Sequence, residues 1–239
     1  MQLGIGTSEF RNSSQFDWKN YFSSARDFGY RYIDTSPFYA AAASERAIGE
    51  FLDPRLEFRV TTKFGLPYHD LGSVYGKISR KINGSRNVDS AWGSHLSPKQ
   101  LPKELKRSLM RLKARDCYGY LMHSVDATVD FDHWIDGLLS LKDAGLVEKI
   151  GLSIDSPIET DFSWADILQI PADLISWSGT LNFNGAVMVN GFARSDPTKL
   201  YARVSEARDS FPNGIGIIRS SSLEHLRHFA DLAQEGKAL

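Results

Sequence analysis

Cysteine is almost missing. Cys117 is the one thiol in 239 residues, which excludes an intrachain disulfide and leaves zinc only histidine and carboxylate ligands, at spacings the chain does not offer. Long apolar runs are missing too, since no window approaches about 18 uninterrupted apolar residues. The opening MQLGIGTSEF has no basic leader followed by an apolar stretch. No membrane span and no export are therefore expected, and a reducing cytoplasm fits. Nor is there an excess of one charge: 28 Lys and Arg stand against 29 Asp and Glu, a formal net charge of −1. That balance gives no global attraction to nucleic acid or to an anionic membrane, and points to a small-molecule partner. Nothing in the pattern bears on oligomeric state.

What is present is an ordinary globular composition, 42% apolar and 24% charged, without a linker or low-complexity stretch. One domain spanning residues 1–239 is expected. Strand-like and helix-like runs alternate throughout, which implies a parallel sheet. The strand candidates are LGIGT, YRYIDT (Tyr30 to Thr35), FRVTTKF (Phe58 to Phe64), CYGYLMH (Cys117 to His123), EKIGLSI, ADLISW, AVMVN and GIGII. Eight strands alternating with helices predict an α/β fold of the (β/α)8 TIM-barrel type.

Helix signals fill the gaps. Trp18, Phe22 and Ala25 share one face of a helix around Phe16 to Phe28, with Gly29 able to end it. Ser44 is positioned to cap a helix through Leu52, with Glu45 near its positive end as a helix-start or salt-bridge residue. Ser97 and Gln100 have capping-box spacing, Pro98 suits the first helical position, and Leu101, Leu105, Leu109 and Leu112 form a stripe. A further helix near Asp132 to Ala144 is closed by Gly145. Leu223, Leu226 and Ala230 share a face of the last one.

Two irregularities stand out. Between Phe64 and Ser97 lies a segment rich in Gly, Ser, Lys and aromatic residues, far longer than the roughly 2 to 6 residues usual for a βα loop. It is a candidate lid, with Tyr68 and Trp92 as possible pocket aromatics and His69 and His95 as solvated loop residues. Between Trp177 and Ala186, in contrast, SGTLNFNG is too short for a normal crossover helix, so the sixth unit is expected to be degenerate. Trp18 and Trp134 sit on helical stripes and read as core, and Cys117 as a buried, inert thiol.

The chemistry gathers where buried strands end. Asp34, Tyr39, Lys63 and His123 stand at or just beyond the C-terminal ends of three apolar runs, ends that share one rim in a barrel. Singly each has a mundane reading: a satisfied strand-end carboxylate, a surface aromatic, an ion-pair partner, a packed rim histidine. Together they form a group able to protonate a carbonyl oxygen. A free tyrosine has a pKa near about 10, and an adjacent ammonium stabilises the phenolate left after donation. A carboxylate would hold that ammonium, and a histidine across the rim would orient the carbonyl.

These segments resemble the aldo-keto reductase family over most of the chain. GYRYIDTSPFYAAAASERAIGEFL is similar to the family segment containing its aspartate and tyrosine. VTTKFG resembles its lysine strand, LPKELKRSLMRLKARDCYGYLMH the helix and strand delivering the histidine, LKDAGLVEKIGLSID the next helix and strand, and GIGIIRSSSLEHLRHF the last-strand segment holding the nucleotide phosphate. The resemblance implies that Tyr39 is the proton donor, Lys63 its electrostatic partner, Asp34 the anchor of that lysine and His123 an orienting group. It implies NADPH as cofactor and an aldehyde or ketone as substrate, reduced by direct hydride transfer without metal. Ser153 would meet the nicotinamide. Arg219 and Ser220 would hold the adenosine 2′-phosphate beside a helix N-terminus, with His225 adding a contact.

Some positions depart from the family pattern. Its Ser-Asn pair after the fifth strand reads Ser153-Ile154, WSGTLNF supplies no counterpart to the nicotinamide-holding glutamine and stacking tyrosine, and its Glu-Asn pair near adenine is replaced by His228-Phe229. These departures motivate one alternative, a nucleotide-binding or regulatory barrel with weakened catalysis. Another is a Schiff-base enzyme using Lys63 as nucleophile, against which Asp34 argues by keeping the amine protonated.

Overall fold

The computed structural model describes residues 1–8, 10, 16–68, 70, 92–93, 96–179, 181–192 and 197–234. Most of the expected lid, with His69 and His95, lies outside the described residues.

Eight strands, β1 (Gln2–Gly6), β2 (Tyr30–Asp34), β3 (Arg59–Phe64), β4 (Cys117–Val125), β5 (Val147–Ile154), β6 (Ile167–Pro171), β7 (Ala186–Asn190) and β8 (Ile215–Arg219), close into a barrel in sequence order. Every pairing is parallel, including that of β8 with β1. The helices among the described residues are α1 (Trp18–Asp27), α2 (Ala43–Phe51), α3 (Leu101–Leu112), α4 (Asp132–Asp143), α5 (Ile175–Ser178), α6 (Leu200–Ser210) and α7 (Leu223–Gln234). The expected (β/α)8 barrel is thus observed.

Local chemistry accounts for the boundaries. Asp17 caps α1 by accepting from the Asn20 amide at 3.0 Å, and Trp18, Tyr21, Phe22 and Ala25 bury one face. Gly29, at φ 97°, and Gly145, at φ 68°, take the left-handed conformations that follow α1 and α4. The Ser97 amide donates to Gln100 Oε1 at 2.8 Å, and Pro98–Gln100 forms a 3-10 turn that feeds α3. The cap expected from Ser44 is not made: that residue lies inside the first turn of α2, and its hydroxyl donates to the Thr7 carbonyl at 2.8 Å. Here α2 begins instead from three left-handed residues, Ala40, Ala41 and Ala42, at φ 48°, 54° and 67°.

The sixth strand also differs from expectation. It is Ile167–Pro171, whereas ADLISW forms a 3-10 turn over Ala172–Leu174 and the single-turn α5. Pro171, lacking an N–H, ends the strand. The sixth crossover therefore has only a four-residue helix, and the fifth, between Ile154 and Ile167, has none. Ile158, Phe162 and Ala165 bury themselves along that helix-free crossover.

Alternation along the strands divides the core in two. One apolar layer lies between sheet and helices, with Phe22, Leu101, Leu105, Leu138, Ile150 and Phe229 among its members. The other fills the barrel with Tyr32, Tyr118, Leu121, Ile167, Met188, Ile215 and Ile217. Because side chains repeat every second residue, the position two beyond an interior residue faces inward one layer higher. Tyr32 leads to Asp34, Leu121 to His123, Ile167 to Gln169, Met188 to Asn190 and Ile217 to Arg219, all five of which line one cavity at the C-terminal rim. The packed barrel floor thereby raises a polar layer above it.

Candidate active site

Lys63 occupies the middle of the polar layer and is almost fully buried. Its Nζ donates to Asp34 Oδ1 at 2.5 Å, to the Thr35 carbonyl at 3.3 Å and to the Tyr39 hydroxyl at 3.2 Å. Burial alone would lower the pKa of this amine, but Asp34 and then Tyr39 more than offset it and carry it above the ordinary lysine value. The amine is held as an ammonium. For Tyr39, burial raises the phenol pKa, Lys63 opposes that rise, and the net direction is upward. The hydroxyl therefore keeps its proton at neutral pH.

His123 faces this pair, its ring edge-on to that of Tyr39 with centroids 5.4 Å apart. Burial, and then the neighbouring Lys63 charge, push its pKa well below the ordinary histidine value, so the imidazole is neutral. Nδ1 lies 3.1 Å from the Ser36 hydroxyl. A β-bulge between Met122 and Val125, with Ser124 at φ 50°, brings Ser124 as well as His123 onto the cavity wall. Trp92 fixes this turn by donating from Nε1 to the His123 carbonyl at 2.7 Å. It packs edge-on against Phe64 and Trp134, and Gly65 leaves room for it, since a Cβ there would stand 2.1 Å from the ring.

The cavity over these groups measures about 200 Å³ and is lined further by Ser8, Ser153, Asp155, Gln169, Asn190 and Arg219. Among the described residues it has room for one ring or a small carbonyl compound. A larger cleft of about 510 Å³ opens at the other end of the barrel, beside Leu52, Phe58, Arg59, Leu112 and Glu148. Barrel enzymes work at the C-terminal rim, and there the smaller cavity joins a protonated phenol, a paired ammonium and a neutral imidazole.

The sequence profile of the Aldo/keto reductase family matches residues 1–180, well over half of the chain. The chain belongs to the aldo/keto reductase family. The curated relative "Probable aldo-keto reductase 1" of Glycine max is 30% identical over 152 residues, which is 63% of this chain but 38% of that protein. Among solved structures, an aldo-keto reductase from Bacillus halodurans in its holo form aligns with a TM-score of 0.72 at 16% identity, covering 98% of this chain and 86% of that one. An aldo-keto reductase from Klebsiella pneumoniae in complex with NADPH aligns with a TM-score of 0.67 at 16% identity, covering 99% and 87%. At such identities the structures speak for the barrel alone.

In this member of the family, Asp34, Tyr39, Lys63 and His123 meet as one group, and Ser153 and Arg219 line the same cavity. Arg219 Nη1 donates to Ser8 Oγ at 3.2 Å. Ser220 and His225 are not part of that wall. They cluster at the start of α7, where Ser220 Oγ accepts from the Ser222 amide at 3.0 Å and lies 3.3 Å from His225 Nδ1. Tyr68 turns away to stack under Arg111. Glu45 is structural, accepting from Thr62 Oγ1 and from Arg111 Nε, each at 2.6 Å. The Cys117 thiol is buried and pushed up to about 12, inert as expected.

Two residues of the site escape the sequence reading. Gln169, on the cavity wall, is one. It sits on β6, paired in register with Ser153, and donates from Nε2 to Asp34 Oδ1 at 3.0 Å. Placing the sixth strand on ADLISW hid it; the alternation through Ile167 and Gln169 is the signal that finds it. Ser36 is the other, two residues after Asp34. Among the described residues no group of His, Cys, Asp or Glu is placed to hold a metal ion, and no helix is long and apolar enough to cross a membrane.

Proposed function

We propose that the chain is a single catalytic barrel domain that reduces an aldehyde or ketone to an alcohol with NADPH. The contact of the Tyr39 hydroxyl with the Lys63 ammonium, itself anchored on Asp34, carries this reading. The donor set suits a nicotinamide dinucleotide. Ser153, Gln169 and Asn190 offer hydroxyl and amide groups on one wall, fit for a carboxamide. Arg219, Ser220 and His225 stand beside the N-terminus of the twelve-residue α7, fit for a phosphate. The NADPH of the Klebsiella pneumoniae protein is consistent with this assignment.

NADPH, when bound, supplies the hydride. Tyr39 gives its proton to the carbonyl oxygen as negative charge develops there, and becomes a phenolate. Lys63 stabilises that phenolate, and Asp34 keeps the ammonium charged and in place. The neutral imidazole of His123 donates a hydrogen bond to the same carbonyl oxygen and so aligns it. Burial of the group excludes water and strengthens each of these interactions. The pairing with Asp34 argues against a Schiff-base role for Lys63, because an amine held above its ordinary pKa beside a carboxylate is a poor nucleophile.

The test is incubation of the full chain with NADPH, or with NADH, and a broad panel of aldehydes and ketones, following cofactor oxidation and alcohol formation. Consumption of NADPH in preference to NADH is expected. Tight NADPH binding without turnover on any carbonyl compound would favour the alternative of a nucleotide-binding or regulatory barrel.

A further inference from the structure

We infer that Ser36 is a positioning residue whose hydroxyl donates to His123 Nδ1, fixes the imidazole proton on Nε2 and ties that ring to the segment carrying Tyr39. The inference rests on the carbonyl-reduction reading above and adds to it a residue that touches neither substrate nor cofactor.

The hydrogen-bond arrangement around Ser36 permits one consistent assignment. Ser36 is buried, and its Oγ accepts from the Phe38 amide at 3.1 Å. The hydroxyl hydrogen then needs an acceptor, because a buried donor left unmet is costly. Among the described residues the acceptor within reach is His123 Nδ1, at 3.1 Å. If Nδ1 carried the proton instead, both neighbours of Oγ would be donors and the hydroxyl hydrogen would be stranded. A neutral imidazole whose Nδ1 accepts must carry its hydrogen on Nε2. Among the described residues that nitrogen has no hydrogen-bond partner, and its ring lines the cavity.

The backbone of Ser36 extends the link. Its carbonyl accepts from the Tyr39 amide at 3.0 Å, so one residue holds the histidine with its side chain and the tyrosine segment with its main chain. Pro37 follows directly, and the residue before a proline is confined to extended conformations. The hydroxyl meets His123 on β4.

The experiment uses the full chain with 15N-labelled histidine and records long-range imidazole proton–nitrogen correlations, with His123 assigned by its loss in His123→Gln. The wild-type protein is expected to show the Nε2–H tautomer. In Ser36→Ala the tautomer becomes mixed, kcat/KM for an aldehyde falls about tenfold, and NADPH affinity holds. Ser36→Thr, which keeps the hydroxyl, restores the tautomer and most of the rate. A proton on Nδ1 in the wild-type protein, or a Ser36→Ala protein that keeps either the tautomer or the rate, overturns the inference. If Ser36→Ala does not fold, the wild-type spectrum alone decides the tautomer. That spectrum requires no turnover, so failure of the inference is distinguishable from failure of the reductase reading.

Discussion

Gln169 and Lys63 reach the same oxygen of Asp34: the amide Nε2 lies 3.0 Å from Oδ1 and the ammonium Nζ 2.5 Å. The buried carboxylate is thus satisfied from β6 as well as from β3, across the barrel. Replacing Gln169 with Leu removes one hydrogen bond to a charged group, worth about 1.5 to 3 kcal/mol. Urea unfolding of Gln169→Leu is expected to show a loss in that range, with Lys63 still anchored.

Removing the cation has a larger effect. Lys63→Met leaves Asp34 buried without its partner, a change that costs about 3 to 5 kcal/mol. The double variant Asp34→Asn/Lys63→Met is expected to recover much of that loss in denaturant melts while remaining inactive. Equal destabilisation in single and double variants would show that the pair is uncoupled.

Acid should weaken the fold through His123. Its folded pKa lies well below the ordinary histidine value, so below about pH 6.5 the unfolded chain takes up a proton that the folded chain resists. The stability that His123 contributes is present above that pH and is lost as the pH falls toward its folded pKa. Stability measured from pH 7 to 5 should therefore decline less steeply in His123→Asn, the difference reaching at most about 1.4 kcal/mol per pH unit.

Strain sits directly after the tyrosine. Ala40 and Ala41 adopt φ 48° and 54°, left-handed conformations that cost an L-residue about 1 to 2 kcal/mol each. Glycine avoids that cost but loses about 0.5 to 1 kcal/mol of chain entropy. Ala41→Gly is expected to be neutral or to raise stability by up to about 1 kcal/mol in thermal melts, whereas Ala41→Val, β-branched, should lower it.

The barrel was readable in the sequence because its strands are apolar runs that stop at a polar residue, and because Ser97, Pro98, Gly29 and Gly145 mark helix ends by local chemistry. Asp34, Lys63 and His123 were readable for the same reason, each standing at the polar C-terminal end of such a run. The sixth strand was not. Its buried face carries Gln169, whose partner Asp34 lies 135 residues away in the chain, and ADLISW nearby imitates a strand although it follows Pro171. Ser44 has the chemistry of a cap but spends its hydroxyl on Thr7, a contact made only once β1 and α2 are side by side. Ser36 acquires its meaning from His123, on a strand far along the chain. In each case the residue is satisfied by a partner brought near by barrel closure.

The central claim, that Tyr39 delivers the proton beside Lys63, is tested most directly by Tyr39→Phe, with steady-state NADPH oxidation on an aldehyde and fluorescence titration of NADPH measured on the same protein. The account predicts a loss of turnover of about 10² to 10⁴-fold with NADPH affinity nearly unchanged. Turnover comparable to that of the unaltered chain would contradict it.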